Sequence, residues 1–328
     1  MHFIQNIIGE ELNIFEKKFA EAVKSENRSF DSIQTRLLDS IMKYIIKRKG
    51  KQLRPMFVFL SAKLHGAINE STYRAAALVE LLHTATLVHD DVVDESLERR
   101  GFFSINAIWK NKIAVLVGDY LLSKGLLLST SNNDFAHLHI LSEAVKQMSE
   151  GELLQIEKSR KLNLNESIYF EIIRNKTASL LSSACAMGAY STSKNEIITG
   201  KMKLFGEKAG IAFQIKDDLF DYGKEDIGKP TGNDIREKKL TLPLIYTLNN
   251  VDQATKRSMI YIIKNENKNA RKVKFVIDTV VEAGGIRYAT QKMNVFRDDA
   301  LAILNEFPDN PVRKALEELV RYTTDRKY

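Results

Sequence analysis

Two stretches of the chain place aspartates at a spacing suited to holding a divalent cation. "LVHDDVVDES" (87–96) sets Asp90, Asp91 and Asp94 behind an apolar run, and "FQIKDDLFDYG" (213–223) repeats the pattern with Asp217, Asp218 and Asp221. On a helix the first and last members of each set lie one turn apart on one face, with the middle one alongside. Like charges at that spacing repel, and a helix C-terminus adds negative partial charge, so each cluster calls for a cation. Carboxylate oxygens are hard ligands and favour Mg²⁺ over zinc. Mg²⁺ keeps several waters and shares its shell with phosphate oxygens, so two such clusters suit one metal–diphosphate group. A solvated helix end would account for one cluster; two argue for a shared task.

The elements that must position these aspartates read as helices. "DSIQTRLLDSIMKYIIKR" (31–48) spaces Ile33, Leu37, Ile41 and Ile45 by four, and Gly50 ends it. "YRAAALVELLHTATLVH" (73–89) is apolar on nearly every side, the pattern of a buried central helix leading into Asp90. Residues 138–158, 170–190 and 201–218 follow the same period, and Pro311 opens a last helix over roughly 311–322. No alternating strand pattern and no Gly/Ser-rich linker appears, and nothing repeats beyond the two aspartate motifs. The expectation is one all-α domain over residues 1–328.

Composition narrows the function classes. The 328 residues are 44% hydrophobic and 28% charged, which suits a packed core and excludes a disordered chain. The single Cys185 excludes an internal disulfide and a cysteine metal site; it fits a reducing compartment and is expected to be a small buried residue. The net charge of +7 comes without a basic stripe interleaved with aromatics, so no nucleic-acid partner is expected. Lys51 and Arg54, Arg99 and Arg100, and Lys229 and Lys239 lie near the aspartates or beside glycines, which suits an anionic small molecule. The opening "MHFIQNIIGEEL" lacks the features of a signal peptide, and no run reaches the ~18 apolar residues of a membrane span. A cytoplasmic protein without a transmembrane segment is expected.

From about residue 45 onward the chain resembles the trans-polyprenyl diphosphate synthases. The resemblance rests on "GKQLRP" (50–55), "HTATLVHDDVVDESLERRG" (83–101), "GELLQ" (151–155), "NKTASL" (175–180), "FQIKDDLFD" (213–221), "GKPTGNDI" (228–235) and "KLTLP" (239–243). It implies an all-α isoprenoid synthase fold, a homodimer, and head-to-tail condensation of isopentenyl diphosphate with an allylic diphosphate. It further implies that Asp90, Asp91, Asp94, Asp217, Asp218 and Asp221 hold Mg²⁺, three ions, on the allylic diphosphate. Arg99, Lys176, Lys229 and Lys239 would add phosphate contacts there. Lys51, Arg54, His83 and Arg100 would hold isopentenyl diphosphate in a metal-free basic pocket, where the planar fork of arginine pairs two oxygens at once. Thr177 and Gln214 would aim oxygen dipoles at the developing cation, and Phe213 would pack against the isoprenyl groups. No side-chain base stands out, and released pyrophosphate is the implied proton acceptor. His89, beside the first aspartate, is expected to support the cluster rather than bind substrate. Gln52, where a basic residue is common, and Lys238, where glycine is frequent, depart from the family's pattern beside the working residues.

Other readings fit less well. A terpene cyclase has an Asn/Ser/Glu-like second metal motif and lacks an isopentenyl site, whereas "DDLFD" and "GKQLRP" argue for elongation. An integral-membrane prenyltransferase needs several apolar spans. A non-catalytic subunit of a heteromeric synthase typically loses aspartates, and this chain keeps all six; a catalytic subunit stays open, as does a short-chain farnesyl or geranylgeranyl diphosphate synthase. One turn below Asp90 stand Ala85 and Thr86, both small, where short-chain members of the family tend to carry aromatics. Leu82, Leu81 and Leu78 follow, and Leu141, Val145 and Met148 are candidates for a tunnel floor on a facing helix. These features imply the long-chain branch, with products beyond twenty carbons, thirty to forty-five expected, and a forty-carbon octaprenyl product as the single bet.

Overall fold

Apolar residues at three- and four-residue spacing coil nearly all of the described chain into helices. The computed structural model describes residues 1–23, 33–47, 50–99, 101–161, 165–223 and 232–326. They divide into two units. One comprises His2–Ser142 with Ser183–Met202; the other comprises Met1, Glu143–Ser182 and Lys203–Tyr328.

The first unit holds α1 (His2–Val23), α2 (Ile33–Lys47), α3 (Leu53–His65), α4 (Glu70–Val93), α5 (Ile105–Thr130) and the start of α6 (Phe135–Lys161). A reciprocal cap starts α4: the Asn69 side chain accepts the Thr72 N–H at 3.2 Å, and the Thr72 hydroxyl accepts the Asn69 N–H at 3.3 Å. The helix then buries Leu81, Ala85 and Val88 against Ala114, Val117 and Leu121 of α5. Helix α5 is long and apolar enough to cross a membrane by length and composition, yet it is this packing against α4 that its buried face serves. Ser71 ties the start of α4 to α6, donating to Asp134 Oδ1 at 3.0 Å while lying 2.8 Å from His137 Nε2. Its one hydrogen goes to the carboxylate, so the buried imidazole is the donor to Ser71 through Nε2–H. Leu37, expected on the buried face of α2, is instead 40% exposed, while Ile41 is buried and Ile45 packs against the core. A two-residue antiparallel ladder, Glu98–Arg99 with Phe102–Phe103, follows α4 and is the one pairing of strands among the described residues.

The second unit carries α7 (Glu166–Ile173), a π turn (Arg174–Ala178), α8 (Ser179–Ser193) as far as Ser182, and α9 (Glu196–Phe220) from Lys203. Then come α10 (Asn233–Arg236), α11 (Leu242–Asn250), α12 (Gln253–Asn265), α13 (Ala270–Glu282), α14 (Gly285–Leu304) and α15 (Pro311–Asp325). Its core joins Ile211, Ala212 and Ile215 of α9 to Leu244 and Ile245 of α11 and Val276 and Val280 of α13. The continuous helix expected over 170–190 is thus broken by the π turn, an extra residue in one helical turn that often marks a functional site. Of the other expected helices, α4, α6, α9 and α15 extend past the stretch read from the sequence, while α2 accounts for 33–47 of the expected 31–48, whose remaining residues lie outside the described ones.

Candidate active site

In the first unit the aspartates close α4. Asp90 is half-buried, Asp91 buried and Asp94 exposed, and the Asp94 N–H donates to the Asp90 carbonyl at 2.8 Å. The last turn of α4 contains no basic residue, so the helix places three carboxylates at its own negative end, where a cation is favoured. The loop behind them is stitched down. Buried Asn106 donates to the Asp91 carbonyl at 3.1 Å, and the Ser104 hydroxyl donates to the Ser96 carbonyl at 2.7 Å. His89 turns to α5, with Nε2 3.2 Å from the Val115 carbonyl and 3.5 Å from Asp119 Oδ1. Gly118 makes that seat, since a Cβ there would overlap the imidazole.

Lys51 is exposed just ahead of α3, Arg54 is half-buried in its first turn, and His83 is half-buried on α4 two turns before Asp90. Gln52, between the two basic residues, takes a left-handed backbone with φ 53°. Arg99 lies in the short ladder; Arg100 and Lys229 lie outside the described residues. Ala85 is fully buried in the cluster with Leu81, Val88 and Leu121. Thr86 is half-buried and donates to the His83 carbonyl at 3.0 Å. Leu141 is buried, and Val145 and Met148 are half-buried.

In the second unit the π turn presents Lys176 and Thr177, and two glycines let it sit where it does. A Cβ on Gly151 of α6 would stand 2.9 Å from both the Asn175 Cβ and the Lys176 nitrogen. One on Gly210 of α9 would stand 2.6 Å from the Ala178 Cα. From this turn a relay runs along α9: Thr177 Oγ1 donates to Gln214 Oε1 at 2.8 Å, and Gln214 Nε2 donates to Asp218 Oδ1 at 2.8 Å. Tyr169 of α7 completes the set by donating to Asp218 Oδ2 at 2.6 Å. Each of the two expected dipoles keeps acceptor capacity: the Gln214 oxygen accepts one hydrogen bond here and has a second lone pair, and the Thr177 oxygen donates its hydrogen and keeps its lone pairs. Lys176 pairs with Glu152 and Lys239 with Glu237, the latter at 2.5 Å. Lys238 adopts φ 59°. A left-handed backbone is the physical reason glycine suits that position.

Asp221 accepts the N–H groups of Asn233 at 2.8 Å and Asp234 at 3.1 Å, anchoring α10. Burial raises the Asp221 carboxyl despite those donors. Burial likewise pushes Asp218 up to about 7, against the opposing hydrogen bonds of Tyr169 and Gln214. Asp234 rises to about 8, through burial and then the neighbouring charges of Asp218 and Asp221. Asp217, by contrast, is exposed and pairs with Arg326, whose guanidinium lies 4.5 Å from the Phe213 ring centroid and 5.2 Å from that of Phe220.

Among the described residues no three His, Cys, Asp or Glu side chains converge closely enough to hold a metal ion alone. The second aspartate cluster nonetheless fits a divalent cation. Asp218, Asp221 and the neighbouring Asp234, all held up chiefly by burial, gain from a positive charge, and water and phosphate oxygens complete a Mg²⁺ shell.

The polyprenyl synthetase family model matches residues 35–280 of the chain. The chain belongs to this family. Octaprenyl diphosphate synthase of Escherichia coli K12 is 33% identical over 292 residues, covering 88% of this chain and 90% of that protein. Heptaprenyl diphosphate synthase component 2 of Bacillus subtilis is 30% identical, covering 98% of this chain and 90% of that protein. Among solved structures, the polyprenyl synthase of Caulobacter crescentus, complexed with calcium and isoprenyl diphosphate, superposes with a TM-score of 0.90 at 31% identity, covering 100% of this chain and 98% of that one. As a polyprenyl synthetase the chain is a prenyltransferase with the isoprenoid synthase fold. Tyr169, Asp234 and Arg326 were not singled out from the sequence. Asp234 stood inside the "GKPTGNDI" motif, whereas no local pattern marks Tyr169 or Arg326.

Proposed function

We propose that this polyprenyl synthetase condenses isopentenyl diphosphate with an allylic diphosphate, in steps, to a long-chain all-trans polyprenyl diphosphate of octaprenyl length. The observation that carries the reading is the Thr177–Gln214–Asp218–Tyr169 relay, which holds one aspartate of the second motif in place from a π turn built for it. Asp90, Asp91, Asp94, Asp217, Asp218 and Asp221 would hold Mg²⁺, three ions, on the allylic diphosphate. Bound there, Mg²⁺ supplies Lewis-acid help to the departing diphosphate. Lys176, Lys239, Arg99 and Lys229 add direct phosphate contacts, while Lys51, Arg54, His83 and Arg100 bind isopentenyl diphosphate. The Thr177 and Gln214 oxygens face the developing positive charge, and Phe213 packs on the isoprenyl chain. The protein works as one catalytic domain in the cytoplasm, in line with a single buried cysteine. A homodimer is supported by the exposed apolar residues Leu116, Leu126 and Leu127 along α5.

The test is to incubate the purified protein with isopentenyl and farnesyl diphosphates plus Mg²⁺ and to size the products. No elongation, with the protein folded, would overturn the reading. A second reading, the catalytic subunit of a heteromeric synthase, draws on the name of the Bacillus subtilis relative; elongation by this chain alone would exclude it.

A further inference from the structure

We propose that Arg326 is a built-in counter-ion of the second aspartate cluster, which metal binding displaces from Asp217, so that cation binding and loosening of the C-terminal turn of α15 at Arg326 are coupled. The inference rests on the reading that this cluster binds a metal ion.

Three observations converge on Arg326. First, the chain leaves α15 at this residue, where φ −57° and ψ 138° abandon the helix. The turn is fixed from behind by Asp325, which lies 3.6 Å from Arg297 of α14. Second, the side chain is only 14% exposed, stacked on Phe213 and Phe220, while its partner Asp217 is 44% exposed. Stacking on aromatic faces suits a guanidinium and holds it at this carboxylate. Third, the pairing is incomplete. One donor, Nη2, reaches Asp217, and the buried Nε has no acceptor. A planar fork of five donors is best met by a bidentate carboxylate or phosphate, and one contact to an exposed carboxylate is a weak hold.

The consequence is a competition. An ion arriving at Asp217 meets a charge already neutralised, and it must move the guanidinium aside. A released Arg326 stays near the cluster, with its unused donors available to a diphosphate. Asp217 would then be the aspartate that trades an internal cation for an external one, in contrast with buried Asp218, which is held by Tyr169 and Gln214.

The experiment titrates Mn²⁺ into the full chain by electron paramagnetic resonance, with and without inorganic pyrophosphate, for wild type, Arg326→Met and Arg326→Lys. Without pyrophosphate, Arg326→Met should bind Mn²⁺ about 2- to 5-fold more tightly than wild type, the scale of one weak ion pair removed, with Arg326→Lys between them. In parallel, hydrogen exchange over residues 321–326 should accelerate in wild type when Mn²⁺ and pyrophosphate are added, and should already be fast in Asp217→Asn. Equal Mn²⁺ affinity in wild type and Arg326→Met, or exchange that ignores the metal, would overturn the Arg326 proposal alone. No Mn²⁺ binding by any variant, even with pyrophosphate, would overturn the metal reading and this proposal with it.

Discussion

Tyr169 donates its phenolic hydrogen to Asp218 at 2.6 Å, joining residues 49 positions apart. Both groups are buried, and the carboxyl is already raised to about 7 by that burial. Removing the donor leaves a buried carboxylate oxygen short of a partner, which costs about 1–3 kcal/mol. Tyr169→Phe should therefore lower stability by that order and raise the Mg²⁺ concentration needed for half-maximal rate. Denaturant unfolding and a Mg²⁺ titration of initial rate check the two effects. A variant unchanged in both would show that the hydroxyl does nothing for Asp218.

Gly210 decides whether the π turn can keep its place. A methyl group there would meet the Ala178 Cα at 2.6 Å, a backbone atom that no rotamer can move away. Overpacking of this kind costs about 1–3 kcal/mol, and here it pushes directly on the turn that carries Thr177. Gly210→Ala should lower the unfolding midpoint and lower kcat more than it raises the KM for either substrate. A fully active, fully stable variant would mean the turn has room that the geometry denies.

These two relationships mark where the sequence stops being informative. The four-residue spacing of apolar groups announces most helices, and both aspartate motifs stand where their helices end. The π turn does not announce itself: one inserted residue shifts the register without altering the composition of "FEIIRNKTASLLSSACAMGAY". Its signal lies in other helices, in Gly151 and Gly210, small residues inside helical patterns that mark close approach. Tyr169 and Arg326 reach their aspartates across the fold, and no local pattern encodes such a contact. Leu37 fails for the opposite reason, since spacing alone does not say which flank of a stripe the core covers.

Acid should weaken the first unit through His137. Burial holds this imidazole down to about 4, with Asp134 only partly opposing. A folded-state value below the unfolded one, about 6.5, means the unfolded chain takes up a proton the folded chain refuses. Its contribution to stability is complete above about pH 6.5 and is lost as pH falls toward 4. Chemical denaturation of wild type and His137→Gln across this range should give curves that converge as pH falls. Parallel curves would show that His137 titrates normally.

The metal reading makes its sharpest demand on the exposed and half-buried aspartates. Asp90→Ala and Asp217→Ala should each lower kcat/KM by about 10²-fold or more, about 2.7 kcal/mol of transition-state stabilisation. Excess chelator should abolish turnover, and Mg²⁺ should restore it. Robust turnover in chelator, or near-normal rates in either variant, would count against metal-assisted departure of the diphosphate.

In the proposed reaction, chain length would turn on the residues one turn before Asp90. An isoprene unit and a helix turn are both about 5 Å long, so residues one turn apart on α4 would act as rungs for a tail growing along it. Ala85 and Thr86 occupy the same rung but meet different surroundings. Ala85 is fully buried against Leu121 and its neighbours on α5, while Thr86 is half-buried. A ring at position 85 has to be forced into a packed cluster, at a cost of about 1–3 kcal/mol. Thr86→Phe has more room, so it is the cleaner ruler. It should shorten the product from the proposed forty carbons to about fifteen or twenty with a modest loss of stability, whereas Ala85→Phe should lose stability as well as length. Radiolabelled products sized by reversed-phase chromatography, beside thermal unfolding of both variants, separate these outcomes. Unchanged product length in a folded Thr86→Phe variant would show that the tail does not pass this rung.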